Sequence, residues 1–308
     1  MRAMTIPEFG PPDVLTPAEV PTPEPGPGQV RVRVVAAGAL PVDARIRRGE
    51  EPWRSHVELP LVPGNEFAGT VDAVGPGTAA DGTAPRVGAE VLGFTTLGAY
   101  AEFVVVPADQ VVPKPADMPW EVAGGFSAQA QGAHMALAAV GAGPGDTVLI
   151  GSAAGGLGTF AVQLARVRGA ATVIGTAGPR NHDHLRSLGA VPVSYGPDLV
   201  ERVRALAPRG VDAAVDSFDE ASLRQALEIV GDPRRVTSMV AHDAARALGL
   251  AEPDGVRSGA RLAGLVRLYE EGRVRPHIRA AHRFTDAALA HRDLDSGHGR
   301  GKLVLTGW

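Results

Sequence analysis

From Asp146 to Val240 the chain repeats one rhythm: a short apolar run, a turn of small residues, then a segment whose apolar positions recur every three to four residues. DTVLIG (146–151), ATVIGT (171–176), VPVSY, VDAAVDS and RRVTSMV read as strands, because short apolar runs bounded by glycine and proline suit an extended, buried backbone. Gly156 to Arg168, Asn181 to Leu188, LVERVRALA and ASLRQALEIV read as the intervening helices. A helix between consecutive strands returns the chain to the same end of the sheet. Successive strands therefore run parallel, with helices on both faces.

The first turn of this series is IGSAAGGLGTFAVQLA, at 150–165. Ala153-x-Gly155-x-x-Gly158 follows the G-x-G-x-x-G pattern with alanine in the first place, between a strand and a helix. Small residues there permit a tight turn, close approach of backbone N–H groups to a pyrophosphate, and tight packing of helix on strand. Free N–H groups and the dipole at a helix start favour the phosphates. Ala154, Gly155, Gly156, Leu157 and Gly158 are thus expected to cradle a dinucleotide.

Which dinucleotide follows from the end of the second strand. A site for NAD places a carboxylate there to take the ribose hydroxyls, whereas this chain reads Gly175, Thr176, Ala177, Gly178, Pro179, Arg180. A carboxylate about 4 Å from a 2′-phosphate would cost roughly 4 kcal/mol at an effective dielectric near 20, and an arginine reverses that sign. NADPH is the expected cofactor, with Thr176 and Arg180 at its adenosine end.

From Met1 to about Pro119 the texture differs. QVRVRVVAAGAL, FAGTVDAVG, AEVLGF and AYAEFVVVPADQVV are short runs bounded by Gly and Pro, as in a mainly β, barrel-like unit. After about Arg261 an amphipathic helix, ARLAGLVRLYEEG, leads to IRAAHRF, a short helical piece and KLVLTGW, strand material able to rejoin the first unit. The expected division is a β-rich domain over 1–122 rejoined by 262–308, and a nucleotide-binding domain over 123–261. A chain of 308 residues, 44% hydrophobic, has material for both cores. Its net charge of −4 gives no bulk attraction to nucleic acid or anionic lipid, so neither is an expected partner. No window of about 20 apolar residues occurs, and MRAMTIPEFGPPDVL lacks a signal-peptide core, so a soluble cytoplasmic protein is expected.

The segments VPGNEFAGTVDAVG, GAYAEFVVVPADQVVPKP, SAAGGLGTFAVQLA, RSLGA and RGKLVL, in this order, resemble the quinone oxidoreductase group of the zinc-free medium-chain dehydrogenase/reductase superfamily. The resemblance spans nearly the whole chain. It implies an α/β fold: a Rossmann doubly wound parallel sheet plus a GroES-like, mainly β catalytic domain, an NADPH cofactor and a homodimer. It places Tyr195, in VSYGPD, at the phosphate site. Gly132 stands where relatives carry a threonine on the nicotinamide ribose, and Ser217, Val240 and Lys302 complete the candidate cofactor contacts. After RRVTSMV the sixth strand of the family is cut to a remnant around Leu248 to Ala251, which bears on the dimer contact carried there in relatives.

Zinc-bearing members of the superfamily use a cysteine and a histidine at the places of Leu40 and Asn65. The chain has no cysteine, and its nine histidines, among them His134, His182, His184, His291 and His298, show no close ligand spacing with a third partner beyond His182-x-His184. No metal site is expected. Leu40 also replaces the asparagine that quinone oxidoreductases carry near the nicotinamide, so a polar contact is missing there as well as at Gly132. Asn65, Gln129 and Gln131 offer amides, and Trp53, Phe94 and Tyr100 offer walls for a flat acceptor. Tyr100 in GAYAEF reads more readily as packing, Glu66 as a salt-bridged structural carboxylate, and Asp43 with Arg45 as readily as loop stabilisers as ligand contacts. Three functions stay open: an NADPH-dependent reductase of quinones or α,β-unsaturated ketones, a non-redox enzyme on the same fold, and a nucleotide-binding protein without turnover.

Overall fold

The structure, a computed structural model, describes residues 1–78, 85–253, 255–297 and 299–308, and His298 lies outside them. In the amino-terminal segment, β1 (Arg2–Thr5) and β2 (Thr16–Glu19) pair as an antiparallel ribbon. The run QVRVRVVAAGA forms β3 (Gln29–Ala39), followed by helices α1 (Pro41–Arg48) and α2 (Trp53–His56). Then come β4 (Glu66–Val74), β5 (Glu90–Phe94), β6 (Phe103–Pro107) and β7 (Val111–Pro113). Strand β3 is the hub: β4 runs along one edge, while β6 pairs with its first half. Alternation along β3 sends Val30, Val32 and Val34 inward, and they join Phe67, Tyr100 and Ile46 in the core of this unit.

Helix α3 (Trp120–Gly124) lies against β3 so closely that a Cβ on Gly124 would stand 2.5 Å from the Cβ of Ala36. Helix α4 (Ser127–Ala139) carries the chain out of this unit. The two compact units are Met1–Ala128 with Arg257–Glu270 and Ile278–Trp308, and Gln129–Val256 with Glu271–His277.

The second unit contains the strand and helix alternation expected from the sequence. Its elements are β8 (Thr147–Ile150), α5 (Gly156–Val167), β9 (Thr172–Thr176), α6 (His182–Ser187), β10 (Val191–Val193), α7 (Leu199–Leu206), β11 (Ala213–Asp216), α8 (Glu220–Val230) and β12 (Val236–Ser238). The five strands lie in the order β10-β9-β8-β11-β12 and are all parallel. The order reverses between β8 and β11, and ligands of such sheets bind beyond the strand ends at that reversal. After β12 comes α9 (His242–Ala247), with no sixth strand among the described residues. Ala251 meets the free edge, donating its N–H to the Val236 carbonyl and accepting from the Thr237 hydroxyl.

The chain returns to the first unit as α10 (Gly259–Glu270), β13 (Ile278–His282), α11 (Ala287–Asp295) and β14 (Lys302–Thr306). Strand β14 pairs antiparallel with the second half of β3, next to where β6 leaves it, and parallel with β13. The last apolar run thereby closes the seven-stranded sheet of the first unit, burying Leu303 and Leu305. This is the α/β architecture of a parallel nucleotide-binding sheet with a mainly β companion unit.

Candidate functional site

In the second unit the glycine turn leaves β8 at Gly151 and enters α5 at Gly156. Ser152 takes φ +51°, the one non-glycine residue with positive φ among the described residues. Thr176, at the end of β9, fixes this conformation: its hydroxyl accepts from the Ser152 N–H at 3.0 Å and its carbonyl from the Ala153 N–H at 2.9 Å. Distance forbids a side chain at Gly158 and crowds one at Gly155. A Cβ on Gly158 would stand 2.6 Å from the Cα of Ala153, and one on Gly155 would stand 3.2 Å from the Ser152 carbonyl oxygen. No side chain caps α5 at Gly155, so the first-turn N–H groups of Gly156, Leu157 and Gly158 remain for a ligand. The cradle fits a pyrophosphate.

Around this turn the structure gathers most of the candidates for the nucleotide. The Ser217 hydroxyl donates to the Gly151 carbonyl at 3.1 Å and ties the end of β11 to the turn. A Cβ on Gly132 would meet Met239 Cε at 3.3 Å and Leu157 Cδ1 at 3.4 Å, so the bare glycine lets α4 pack closely against Leu157 of α5 and Met239, the residue preceding Val240. Past β9, Arg180 is exposed on the loop 178–181, and the Tyr195 hydroxyl would lie 3.6 Å from a Cβ on Gly178. Arg180 and Tyr195 therefore flank one short loop. Lys302 belongs to the first unit instead, where its ammonium is engaged as described below.

Sequence reasoning missed Asp216. It ends β11 fully buried, accepting from the Ser222 hydroxyl at 2.7 Å and the Phe218 N–H at 3.1 Å. Burial pushes its carboxyl up to about 6, against those hydrogen bonds. A Cβ on Gly151 would stand 2.6 Å from its Oδ1. No sequence pattern marks a carboxylate that needs its partners from the next helix.

In the first unit, Asn65 and Phe94 come together through Arg257. Its Nη1 donates to the Asn65 carbonyl at 3.0 Å, and its Nη2 donates to the Thr95 carbonyl at 2.7 Å and to Asn65 Oδ1 at 3.4 Å. The guanidinium carbon lies 5.2 Å from the centre of the Phe94 ring. Asn65 Nδ2 in turn donates to Asp43 Oδ1 at 3.1 Å. Leu40 begins α1 with its N–H bonded to Asp43 Oδ2 at 2.9 Å, its own side chain buried. Trp53 is half-buried against the core, and Gln129 and Gln131 fall in the second unit.

Behind Asn65 lies a buried polar ladder. Asp43 and Arg47, one turn apart on α1, face His291 and Asp295, one turn apart on α11. The Tyr100 hydroxyl stands 3.3 Å from Asp43 Oδ2 and 3.2 Å from His291 Nε2, and Arg47 Nη2 donates to Asp295 at 2.6 Å. Burial pushes Asp43 up to about 7, aided by the charge of Glu66 and opposed by the hydrogen bonds of Leu40, Asn65 and Tyr100. Burial, with Arg47 and Arg48, pushes His291 down to about 3, so it is neutral. Tyr100 packs in the core as the sequence allowed, but its hydroxyl is a link in this ladder. Glu66, fully buried, accepts from Lys302 Nζ and from the Ala128 N–H at 2.6 Å.

The histidine and cysteine places of zinc-bearing relatives hold Asn65 and Leu40 here, and among the described residues no three histidines, aspartates or glutamates converge on one point. This donor set does not fit the family's zinc. No helix of the described residues is long and apolar enough to cross a membrane.

Residues 26–116 match the family model described as alcohol dehydrogenase GroES-like domain, and residues 188–305 the one described as zinc-binding dehydrogenase. The human synaptic vesicle membrane protein VAT-1 homolog is 30% identical over 284 residues, covering 80% of this chain and 71% of that protein. Mouse quinone oxidoreductase is 27% identical over 342 residues, covering 99% of this chain and 97% of that protein. A mycobacterial protein solved in complex with NADPH superposes with a TM-score of 0.89 at 30% identity, covering 99% of this chain and 100% of its own.

Proposed function

The chain belongs to the quinone oxidoreductase group of the medium-chain dehydrogenase/reductase superfamily and is an oxidoreductase of that fold, and on this premise we propose that it reduces a quinone or an α,β-unsaturated ketone with NADPH. The observation that carries the cofactor choice is the loop after β9. It presents Arg180 and the Tyr195 hydroxyl, and no carboxylate, where a ribose 2′ substituent is read. Bound NADPH supplies the hydride. Gly156, Leu157 and Gly158 would hold its pyrophosphate through backbone N–H groups, and Arg180 and Tyr195 its 2′-phosphate.

Quinones and enones suit a site with few ionisable groups. The negative charge left on them is delocalised over a conjugated oxygen, so hydrogen-bond donors and solvent suffice in place of a metal. Orientation of donor and acceptor then supplies much of the rate. A homodimer like that implied by the resemblance would have to form without a sixth strand among the described residues, and sedimentation velocity tests it.

The function is tested by following reduced-nicotinamide absorbance with NADPH or NADH and a panel of quinones and enones. Acceptor-dependent oxidation, faster with NADPH, is expected. Product formation without nucleotide would establish the non-redox reading instead. An NADPH-induced rise in melting temperature with no acceptor consumed would establish a binding protein without turnover.

A further inference from the structure

We propose that Asn65 and Arg257 bind the acceptor's carbonyl oxygen and stabilise the negative charge that reduction places on it, with Asp43 as the positioning residue of the Asn65 amide. The inference rests on the reductase reading above and names the groups that act on the acceptor.

The amide of Asn65 cannot turn freely. Arg257 Nη2 holds Oδ1 and Asp43 holds one N–H of Nδ2, so the orientation of the group is set from both ends. One N–H of Nδ2 stays uncommitted among the hydrogen bonds of the described residues. A guanidinium has five N–H donors, of which Asn65 and Thr95 take three, leaving Nε–H and one N–H of Nη1. The Phe94 ring beneath the guanidinium is nearly buried and flat. A fixed amide donor and a fixed cation beside an aromatic face are what a planar conjugated carbonyl needs. The family's asparagine is absent at Leu40, which gives the acceptor a buried aliphatic side chain and no donor.

The charge count points the same way. Lys302 neutralises Glu66, and the remaining charges near Asn65 are the half-buried Arg257 and the buried Asp43. Asp43 is faced by Glu66 on β4, by Tyr100 and through it His291 on α11, by Arg257, and by Arg47 on its own helix. Burial pushes its carboxyl up to about 7, so near neutral pH much of its negative charge is relieved and the cluster has an excess of positive charge. Burial also lowers Arg257 from its ordinary value, a sign of poor solvation, yet a guanidinium stays protonated. A poorly solvated cation interacts strongly with a new anion.

In the reduction, a hydride adds to a ring or β-carbon and the acceptor's π electrons shift onto oxygen. The nicotinamide donor is oxidised by two electrons and the acceptor reduced by two. The oxyanion forms against Arg257 and Asn65, and solvent supplies its proton.

Two measurements on the full chain test this. The first is steady-state reduction of a quinone by wild type, Asn65→Ala, Arg257→Lys and Arg257→Met at saturating NADPH. Loss of one such donor is expected to lower kcat by about a hundredfold, with acceptor KM changed far less and NADPH affinity unchanged. Arg257→Lys, which restores the charge, is expected to recover part of the loss seen in Arg257→Met. The second is the visible titration of 4-nitrophenol bound to the protein, a phenol whose anion mimics the reduced oxygen. Its pKa is expected to fall by about one unit on wild type and to return towards the free value in Arg257→Met, or in Arg257→Gln if the former does not fold. Variants that keep kcat within about twofold of an active wild type, an unshifted 4-nitrophenol, or no 4-nitrophenol binding would overturn the inference. A wild type that reduces no quinone or enone yet lowers the 4-nitrophenol pKa through Arg257 would instead sink the reductase reading while preserving the anion site.

Discussion

Replacing Asp43 with Asn should abolish a pH dependence of stability that the buried carboxyl imposes on the first unit. The side chain is 0% exposed, and its oxygens accept from the Leu40 N–H, Asn65 Nδ2 and the Tyr100 hydroxyl. Its pKa is pushed up to about 7 from 3.8, so between these values the folded chain keeps a proton that the unfolded chain releases. Stability from this group is full below pH 4, declines as pH rises through 7, and is constant above that. At 1.36 kcal/mol per pKa unit the decline amounts to about 4 kcal/mol. Asparagine has nearly the same shape and no charge, so the free energy of unfolding of wild type minus that of Asp43→Asn should fall by that amount between pH 4 and 8. Asp216, raised to about 6, has the same sign, and His291, lowered to about 3, the opposite one; both largely cancel in the difference. Urea unfolding read by tryptophan fluorescence is suited to the measurement, because Trp53, Trp120 and Trp308 all lie in the first unit. A difference that stays flat within about 1 kcal/mol, or that rises with pH, would refute the reasoning, since either means that the fold does not penalise the Asp43 carboxylate.

Lys302→Met leaves Glu66 buried without its cation and should cost about 3 to 5 kcal/mol in the same urea assay, much of it recovered by adding Glu66→Gln; a neutral single substitution would show that the pair is not closed to water. Arg180→Ala should weaken NADPH by about 1 to 3 kcal/mol and NADH hardly at all in calorimetric titrations, and equal losses would remove Arg180 from the 2′-phosphate. Gly158→Ala drives a Cβ to 2.6 Å from the Ala153 Cα, so NADPH affinity should drop more than about tenfold while the tryptophan-monitored unfolding of the first unit stays in place; unchanged affinity would mean that the turn has slack.

The nucleotide unit was legible because its signals are short-range. Alternation of apolar runs places β8 to β12, and the need for small residues at Gly155 and Gly158 is a property of a turn six residues long. A missing carboxylate after β9 is visible in six consecutive letters. The terminal strand was recognisable as a strand from KLVLT, yet its seat on the second half of β3 depends on which edge β6 leaves free.

The acceptor side of the chain was legible only in part. Asn65 and Phe94 could be named as candidates, but Arg257, which joins them, sits in a polar stretch without periodicity and meets Asn65 across 192 residues. Tyr100 finds His291 across 191 residues, and Lys302, read as a cofactor contact, finds Glu66 across 236. Strand and helix order, the phosphate turn and the lack of any thiolate ligand can be read from the letters, since backbone geometry and residue inventory are local facts. Which charges lose water, and which partners they gain, follows from long-range packing. A buried ion's energy depends on neighbours brought from distant parts of the chain, and no spacing rule encodes them.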